Sequence, residues 1–128
     1  MVRQLRSEAG FTVLELVIAI SIIAILAVFL LAKYDALKPA ADQQATNSIA
    51  AALNVASTVN YHYFRIGSAK AVPVHNCTDT ANALPPSQPL SPGYTITSQI
   101  IAPNATATCI VTNPDGNTTA SFIGRGTT

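Results

Sequence analysis

The stretch that decides the fold is Gly10-Phe11-Thr12-Val13-Leu14-Glu15 and the apolar run that follows it as far as Ala32. Residues 11–32 contain one charged side chain, that of Glu15. As a helix, this run would be about 33 Å long, which is enough to cross the hydrocarbon core of a bilayer. A lone carboxylate in such a helix costs free energy in hydrocarbon, so its presence indicates a function.

The ten residues before the run do not form an ordinary secretory signal. In such a signal the apolar region precedes the cleavage site and is removed with it. Here the small residues Ala9-Gly10 precede the apolar region, so a cut after Gly10 would leave the apolar helix on the mature chain. Arg3 and Arg6 favour a cytoplasmic leader, which places the chain after Ala32 on the far side of the membrane. The alternative is an uncleaved N-terminal anchor with a small external domain.

The order of Gly10, Phe11-Thr12, Glu15 and an apolar helix resembles the class III signal of type IV prepilins. In that family a dedicated peptidase cuts after the glycine and methylates the new N-terminal amine. The resemblance implies that Gly10 precedes the cut and that Phe11 becomes the methylated N-terminus. It further implies that Glu15 is the fifth residue of the mature chain.

The spacing of Phe11 and Glu15 indicates a partner for the Glu15 carboxylate, namely the Phe11 amine. Residues four apart in a helix are neighbours, so Glu15 can face the Phe11 amine of its own or of an adjacent subunit. Removing one partner of a buried ion pair costs on the order of 3–5 kcal/mol. We therefore expect the Glu15–Phe11 pair to set the stagger of subunits in a filament.

Further segments resemble compact major pilins of proteobacteria, including the mannose-sensitive haemagglutinin pilin group. The segments that carry this resemblance are Asp35–Leu53, Asn76-Cys77-Thr78-Asp79, Gly93-Tyr94-Thr95-Ile96-Thr97 and Thr106-Ala107-Thr108-Cys109. It implies the α+β pilin fold, in which a long N-terminal helix with a membrane-spanning first half packs on an antiparallel sheet of three or four strands.

The periodicity of the chain after the apolar run agrees with that fold. Apolar residues three or four apart predict a helical face that lies on a sheet, and Gly67 predicts the end of the helix. The members of this stripe are Ile49, Ala52, Leu53, Ala56, Val59 and Tyr63. After Gly67, three segments in which apolar and polar residues alternate predict a three-strand antiparallel meander. Its inward sets are Tyr94, Ile96 and Ile100; Ala107, Cys109 and Val111; Ala120 and Phe122. A short extra strand is possible near Val72–His75.

These signals divide the chain into three parts. Residues 1–10 are a leader that is cleaved after Gly10. Residues 11–66 form the long N-terminal helix, with residues 11–32 as the transmembrane segment and filament core. Residues 67–128 form a β head domain stabilised by a disulfide.

Charge and cysteine content narrow the function classes. Residues 11–128 carry equal numbers of cationic and anionic side chains, which gives no electrostatic footprint for nucleic acid and lets copies pack with little repulsion. Cys77 and Cys109 are the two cysteines and lie beyond the apolar run, which favours a disulfide between them; the alternative is two free thiols. His75, Cys77 and Asp79 are too few for a zinc site, so we expect no metal and no cofactor.

These features predict a structural subunit that polymerises into an extracellular type IV pilus, not an enzyme. The resemblance implies prepilin peptidase, the pilus assembly machinery and copies of the chain itself as partners. It implies an inner-membrane precursor, a pilus on the bacterial surface, and roles in adhesion, motility or aggregation. The alternatives are a minor pilin of DNA uptake and a pseudopilin of type II secretion. Three Asn-x-Thr patterns, at Asn76, Asn104 and Asn117, leave glycosylation open.

Overall fold

The fold is α+β, with one long helix and a small antiparallel sheet, as the sequence predicted. A computed structural model describes residues 10–127, so residues 1–9 of the predicted leader lie outside the described part of the chain. The elements, in chain order, are the helix α1 (Val13–Arg65), a short 3-10 helix (Cys77–Ala83) and the strands β1 (Thr95–Ile96), β2 (Thr106–Thr112) and β3 (Thr119–Arg125). The internal packing divides the chain into two units, with the boundary after Lys38.

The first unit contains the apolar part of α1. Every residue from Phe11 to Lys38 is exposed. The helix is continuous through this region and is long and apolar enough to cross a membrane, judged by length and composition. An apolar helix without any packed side needs a lipid or protein environment to cover it.

The end of α1 is a Schellman motif built on the predicted glycine. Gly67 has φ +68°, a left-handed conformation that favours glycine. Its N–H donates to the carbonyl of Phe64 at 3.0 Å, and Ser68 N–H donates to that of Tyr63 at 2.9 Å. These bonds satisfy carbonyls that the helix itself leaves open and turn the chain towards the sheet.

The sheet is the predicted meander, with strand order β1-β2-β3. β2 and β3 pair in register over seven residues, with Cys109 opposite Phe122 and Val111 opposite Ala120. The inward residues of this pair are buried: Cys109, Val111 and Phe122 are each at most 3% exposed. Alternation therefore identified the two long strands and their buried faces.

The first strand is shorter than predicted. Only Thr95 and Ile96 belong to β1; Thr97 N–H still donates to the carbonyl of Ile110 at 2.9 Å, but residues 99–101 pair with a different segment. Cys77 N–H donates to the carbonyl of Gln99 at 2.9 Å, and Ile101 N–H donates to that of His75 at 2.7 Å. This pairing leaves Ile100 82% exposed and buries Ile101, so the prediction that Ile100 points inward is wrong.

The head core is small and contains a disulfide at its centre. Leu53 of α1 packs with Val74, Ile101, Val111 and Phe122 around the two sulfur atoms. Cys77 and Cys109 form the predicted bond, with their Cα atoms 5.6 Å apart. Closing a loop of this length contributes about 3–4 kcal/mol in the chain-entropy model, which matters for a thin core.

The helical face that meets the sheet is more polar than the sequence predicted. Leu53 and Ala56 are buried as expected, but Ala52 is exposed and Val59 is 43% exposed. The buried positions also include the polar residues Thr46, Ser57 and Asn60. The predicted stripe is therefore wrong in part.

One of these polar residues, Ser57, is buried because α1 covers the free edge of β3. On an edge strand, alternate backbone groups point away from the neighbouring strand and need other partners. Ser57 Oγ accepts a hydrogen bond from Arg125 N–H at 3.0 Å, and Asn54 Oδ1 accepts one from Ile123 N–H at 3.1 Å. Hydrophobic periodicity cannot predict such a face, since its side chains serve the backbone of another element.

Asn60 holds the segment where the extra strand was expected. Its Nδ2 donates to the carbonyl of Val72 at 2.9 Å, and its Oδ1 accepts from Val72 N–H at 2.7 Å. Thr127 Oγ1 donates to the same carbonyl at 2.9 Å. The segment near Val72–His75 is thus fixed by hydrogen bonds although it forms no regular strand.

We predict that Asn60→Ala lowers the free energy of unfolding by about 1–3 kcal/mol, because it leaves a buried backbone N–H without its partner. Urea unfolding of the full-length protein in detergent micelles measures the change. Asn47→Ala, at an exposed position of the same helix, is the matched control and should change stability little. Equal midpoints for the two variants would contradict the role given to Asn60.

Candidate processing and assembly site

The Gly10–Phe11 peptide bond lies in exposed, non-helical backbone. Residues 10–12 precede the helix, and Phe11 is 82% exposed. A Cβ placed on Gly10 would meet no atom within 4 Å, so the fold of this chain does not require glycine there. Glycine at this position can therefore be explained by the requirements of an enzyme that binds and cleaves the Gly10–Phe11 bond.

Thr12 and Glu15 form a reciprocal capping box at the start of α1. Thr12 Oγ1 accepts from Glu15 N–H at 3.1 Å, and Glu15 Oε2 accepts from Thr12 N–H at 2.9 Å. The Thr12 hydroxyl also lies 3.2 Å from the same carboxylate oxygen, and its carbonyl accepts the first helical bond, from Leu16 N–H. Two backbone N–H groups that would otherwise lack partners are thereby satisfied.

Thr12 is the residue of this site that the sequence reading missed. The predicted partner of Glu15 was the amine of Phe11, which in the intact chain is a peptide nitrogen. The structure brings Glu15 to Thr12, and the pairing with Phe11 remains a prediction for the cleaved chain. The spacing Thr-x-x-Glu before an apolar run is the signal that would have identified the cap.

Ser21 shows how the apolar run accommodates a polar side chain. Its Oγ donates to the carbonyl of Val17 at 2.7 Å, within the same helix. A hydroxyl satisfied inside its own helix needs no partner from lipid or from another chain. The surroundings that the apolar helix needs are therefore determined by its apolar side chains and by the carboxylate of Glu15.

Residues 5–31 match the family model of the prokaryotic N-terminal methylation motif. The chain carries the signal of a type IV pilin-like prepilin. Prepilins with this motif include pilin-like and pseudopilin-like proteins. The motif implies processing by prepilin peptidase and a membrane-anchored precursor.

The match to the prepilin motif does not extend into the head. It ends at residue 31, so the resemblance to the mannose-sensitive haemagglutinin group rests on the sequence alone. Comparison with curated proteins gives no match, and neither does comparison with solved structures.

The residues near Cys77 that could suggest a metal site take part in local hydrogen bonds and in the disulfide. Asp79 Oδ2 accepts from the backbone N–H groups of His75 and Asn76, and Asn76 Oδ1 accepts from Thr78 N–H, capping the 3-10 helix. Cys77 is in the disulfide. Among residues 10–127, no group of three or more His, Cys, Asp or Glu side chains is placed to hold a metal ion.

We predict that Thr12→Val weakens the first turn of α1 by about 1 kcal/mol, because the side chain that accepts from Glu15 N–H is lost. Hydrogen exchange at the Glu15 amide, measured on the full-length precursor in micelles, should be faster in this variant. Thr12→Ser keeps the acceptor and is the matched control, with exchange near that of the wild type. Equal exchange in Thr12→Val and the wild type would show that the cap is not formed.

Proposed function

We propose that this chain is a structural pilin that polymerises into an extracellular type IV pilus through its apolar N-terminal helix. The observation that carries the proposal is that every residue from 11 to 38 is exposed, in a helix whose start lies within the methylation motif of residues 5–31. A cut after Gly10 keeps this helix on the mature chain. Its surface then needs lipid in the precursor and other copies of the helix in the filament.

The proposed precursor lies in the inner membrane with residues 1–10 as a cytoplasmic leader. Prepilin peptidase would cut between Gly10 and Phe11 and methylate the Phe11 amine. The exposure of this bond supports its recognition by an enzyme. Residues 11–66 then act as the assembly helix, residues 11–32 as its membrane and filament-core part, and residues 67–128 as the filament surface.

The capping box suggests how cleavage activates the subunit. Before the cut, Glu15 is held at the start of α1 by Thr12. The cut creates a cationic amine on Phe11, the residue directly before Thr12. Glu15 is then already placed near a positive charge at the helix N-terminus, where a carboxylate is also favoured by the helix dipole. In the filament core, each Glu15 would meet the Phe11 amine of its own or a neighbouring subunit.

We predict that Glu15→Gln and Glu15→Ala are both inserted and cleaved but form few filaments. Glutamine at this capping position retains the hydrogen-bonding role of glutamate but carries no charge, so it separates capping from ion pairing. Filament yield in the sheared surface fraction, normalised to the cellular level of the subunit, is the measurement. Asp35→Asn removes another exposed carboxylate of α1 and is the control, expected to assemble normally.

Normal filaments from Glu15→Gln would show that the charge is not required and would overturn the proposed Glu15–Phe11 pair. Normal filaments from both Glu15 variants would also show that assembly does not depend on the capping box. A wild-type chain that forms no filaments would contradict the pilin proposal itself and favour a pseudopilin or a minor pilin.

A further inference from the structure

The three Asn-x-Thr patterns of the chain differ in their surroundings. They begin at Asn76, Asn104 and Asn117, and none has proline in the middle. Such a pattern is an acceptor of N-linked glycans where it lies on the surface of an exported protein. An acceptor needs an asparagine amide and a threonine hydroxyl that an enzyme can reach together. The contacts of each pattern therefore decide which of them can serve.

The carboxamide of Asn76 is committed to the fold. Its Nδ2, the atom that would carry a glycan, donates to Ser98 Oγ at 3.0 Å. Its Oδ1 accepts from the N–H groups of Thr78 and Gln99. The Thr78 hydroxyl, which completes the pattern, donates to the same oxygen at 3.2 Å. A glycan on Asn76 would displace the bond to Ser98 and disturb the cap of the 3-10 helix.

Asn104 is exposed, but its backbone is not extended. Its φ is +56°, in the left-handed region. It lies in a turn in which Ala105 N–H donates to the carbonyl of Ala102 at 3.0 Å. Side chains two positions apart share a face in extended backbone, and a left-handed residue interrupts that alternation. The fold therefore does not present Asn104 together with Thr106 in the way a strand would.

Asn117 and Thr119 continue the alternation of β3 and are both exposed. Thr119 is the first residue of the strand. Thr118, between them, is 8% exposed, and its hydroxyl lies 2.6 Å from that of Thr46. Alternation about this buried residue places its two neighbours on the opposite face. The amide and the hydroxyl of this pattern are therefore presented to solvent together.

The backbone around Asn117 is held in place while its carboxamide is not used. Asn113 Oδ1 accepts from the N–H groups of Asn117 at 2.9 Å and of Thr118 at 3.1 Å. The carbonyl of Thr119 accepts from Gln43 Nε2 at 3.0 Å. These bonds, like the pairing of Thr119 with β2, involve backbone groups of the pattern, and within residues 10–127 its carboxamide and the Thr119 hydroxyl remain open to an enzyme.

The tip of the β2–β3 hairpin has room for a large group. Residues 114–117 are four consecutive exposed residues. Gly116 has φ +72°, and a Cβ placed on it would meet no atom within 4 Å. A bulky, hydrated group on Asn117 would therefore displace no packed side chain.

We propose that Asn117 is the acceptor of an N-linked glycan and that Thr119 completes its recognition. The donor is a sugar on a lipid-carried diphosphate, because the proposed topology places the head beyond the membrane that anchors the precursor. The Asn117 carboxamide nitrogen forms a bond to the first carbon of the sugar as the bond from that carbon to the diphosphate oxygen breaks. The diphosphate keeps the electron pair, and one amide proton passes to a base of the transferase. The inference goes beyond the proposed function and does not need filament formation.

The intact mass of the full-length chain, made in its natural host cells, tests the proposal. The wild type should carry additional mass that fragmentation locates on Asn117. Asn117→Gln should lose all of this mass, and so should Thr119→Val, which removes the hydroxyl but suits an exposed strand position. Thr119→Ser should keep it, and Asn104→Gln is the matched control that should leave it unchanged. Subunit level and disulfide formation report folding.

The outcomes are separate from those of the filament test. A wild-type chain without additional mass overturns the proposal. Additional mass located on Asn104 or on a hydroxyl, or mass that persists on Asn117 in Thr119→Val, also overturns it. If no filaments form, the same masses are measured on the chain in the membrane fraction, so failure of the pilin proposal leaves this test intact. Filaments built from an unmodified chain would overturn the glycan site and support the pilin proposal.

Discussion

The carboxylate of Glu15, the one charged side chain of residues 11–32, is the main constraint on the first unit of the chain. In hydrocarbon such a group must have partners, and the first turn of a helix supplies them as unsatisfied N–H groups. Thr12 completes the arrangement by bonding to both the carboxylate and the backbone of Glu15. The first turn, which Thr12 and Glu15 stabilise, therefore directly follows Phe11, where cleavage would create a cationic amine.

The second half of α1 faces a different requirement. It covers the edge of β3, so Asn54 and Ser57 accept hydrogen bonds from strand N–H groups. Apolar residues displaced from that face, among them Val55 and Val59, remain exposed beside the proline-rich loop of residues 85–92. A small core then relies on the Cys77–Cys109 bond for part of its stability. The head is thus held together by edge hydrogen bonds and one covalent link as much as by apolar burial.

Local sequence patterns predicted the helix and strands well, but they did not predict the contacts between them. Alternation identified β2 and β3, and Gly67 marked the end of the helix, because both signals depend on residues close in the chain. The early end of β1 was missed because residues 99–101 pair with residues 75–77, a long-range contact without a local signature. The buried polar face of α1 was missed for the same reason. Thr12 was also missed, although its Thr-x-x-Glu spacing to Glu15 is a local signal of a helix cap.

The intact mass of the chain in material sheared from the cell surface would show whether cleavage after Gly10 produces a filament subunit. For a pilin we expect an abundant species that begins at Phe11, heavier by the CH2 that methylation adds and lighter by the two hydrogens lost in the disulfide. Additional mass would indicate glycosylation and would leave the account standing. A chain that still carries residues 1–10, or one found only in the membrane fraction, would contradict the claim that cleavage after Gly10 produces a filament subunit.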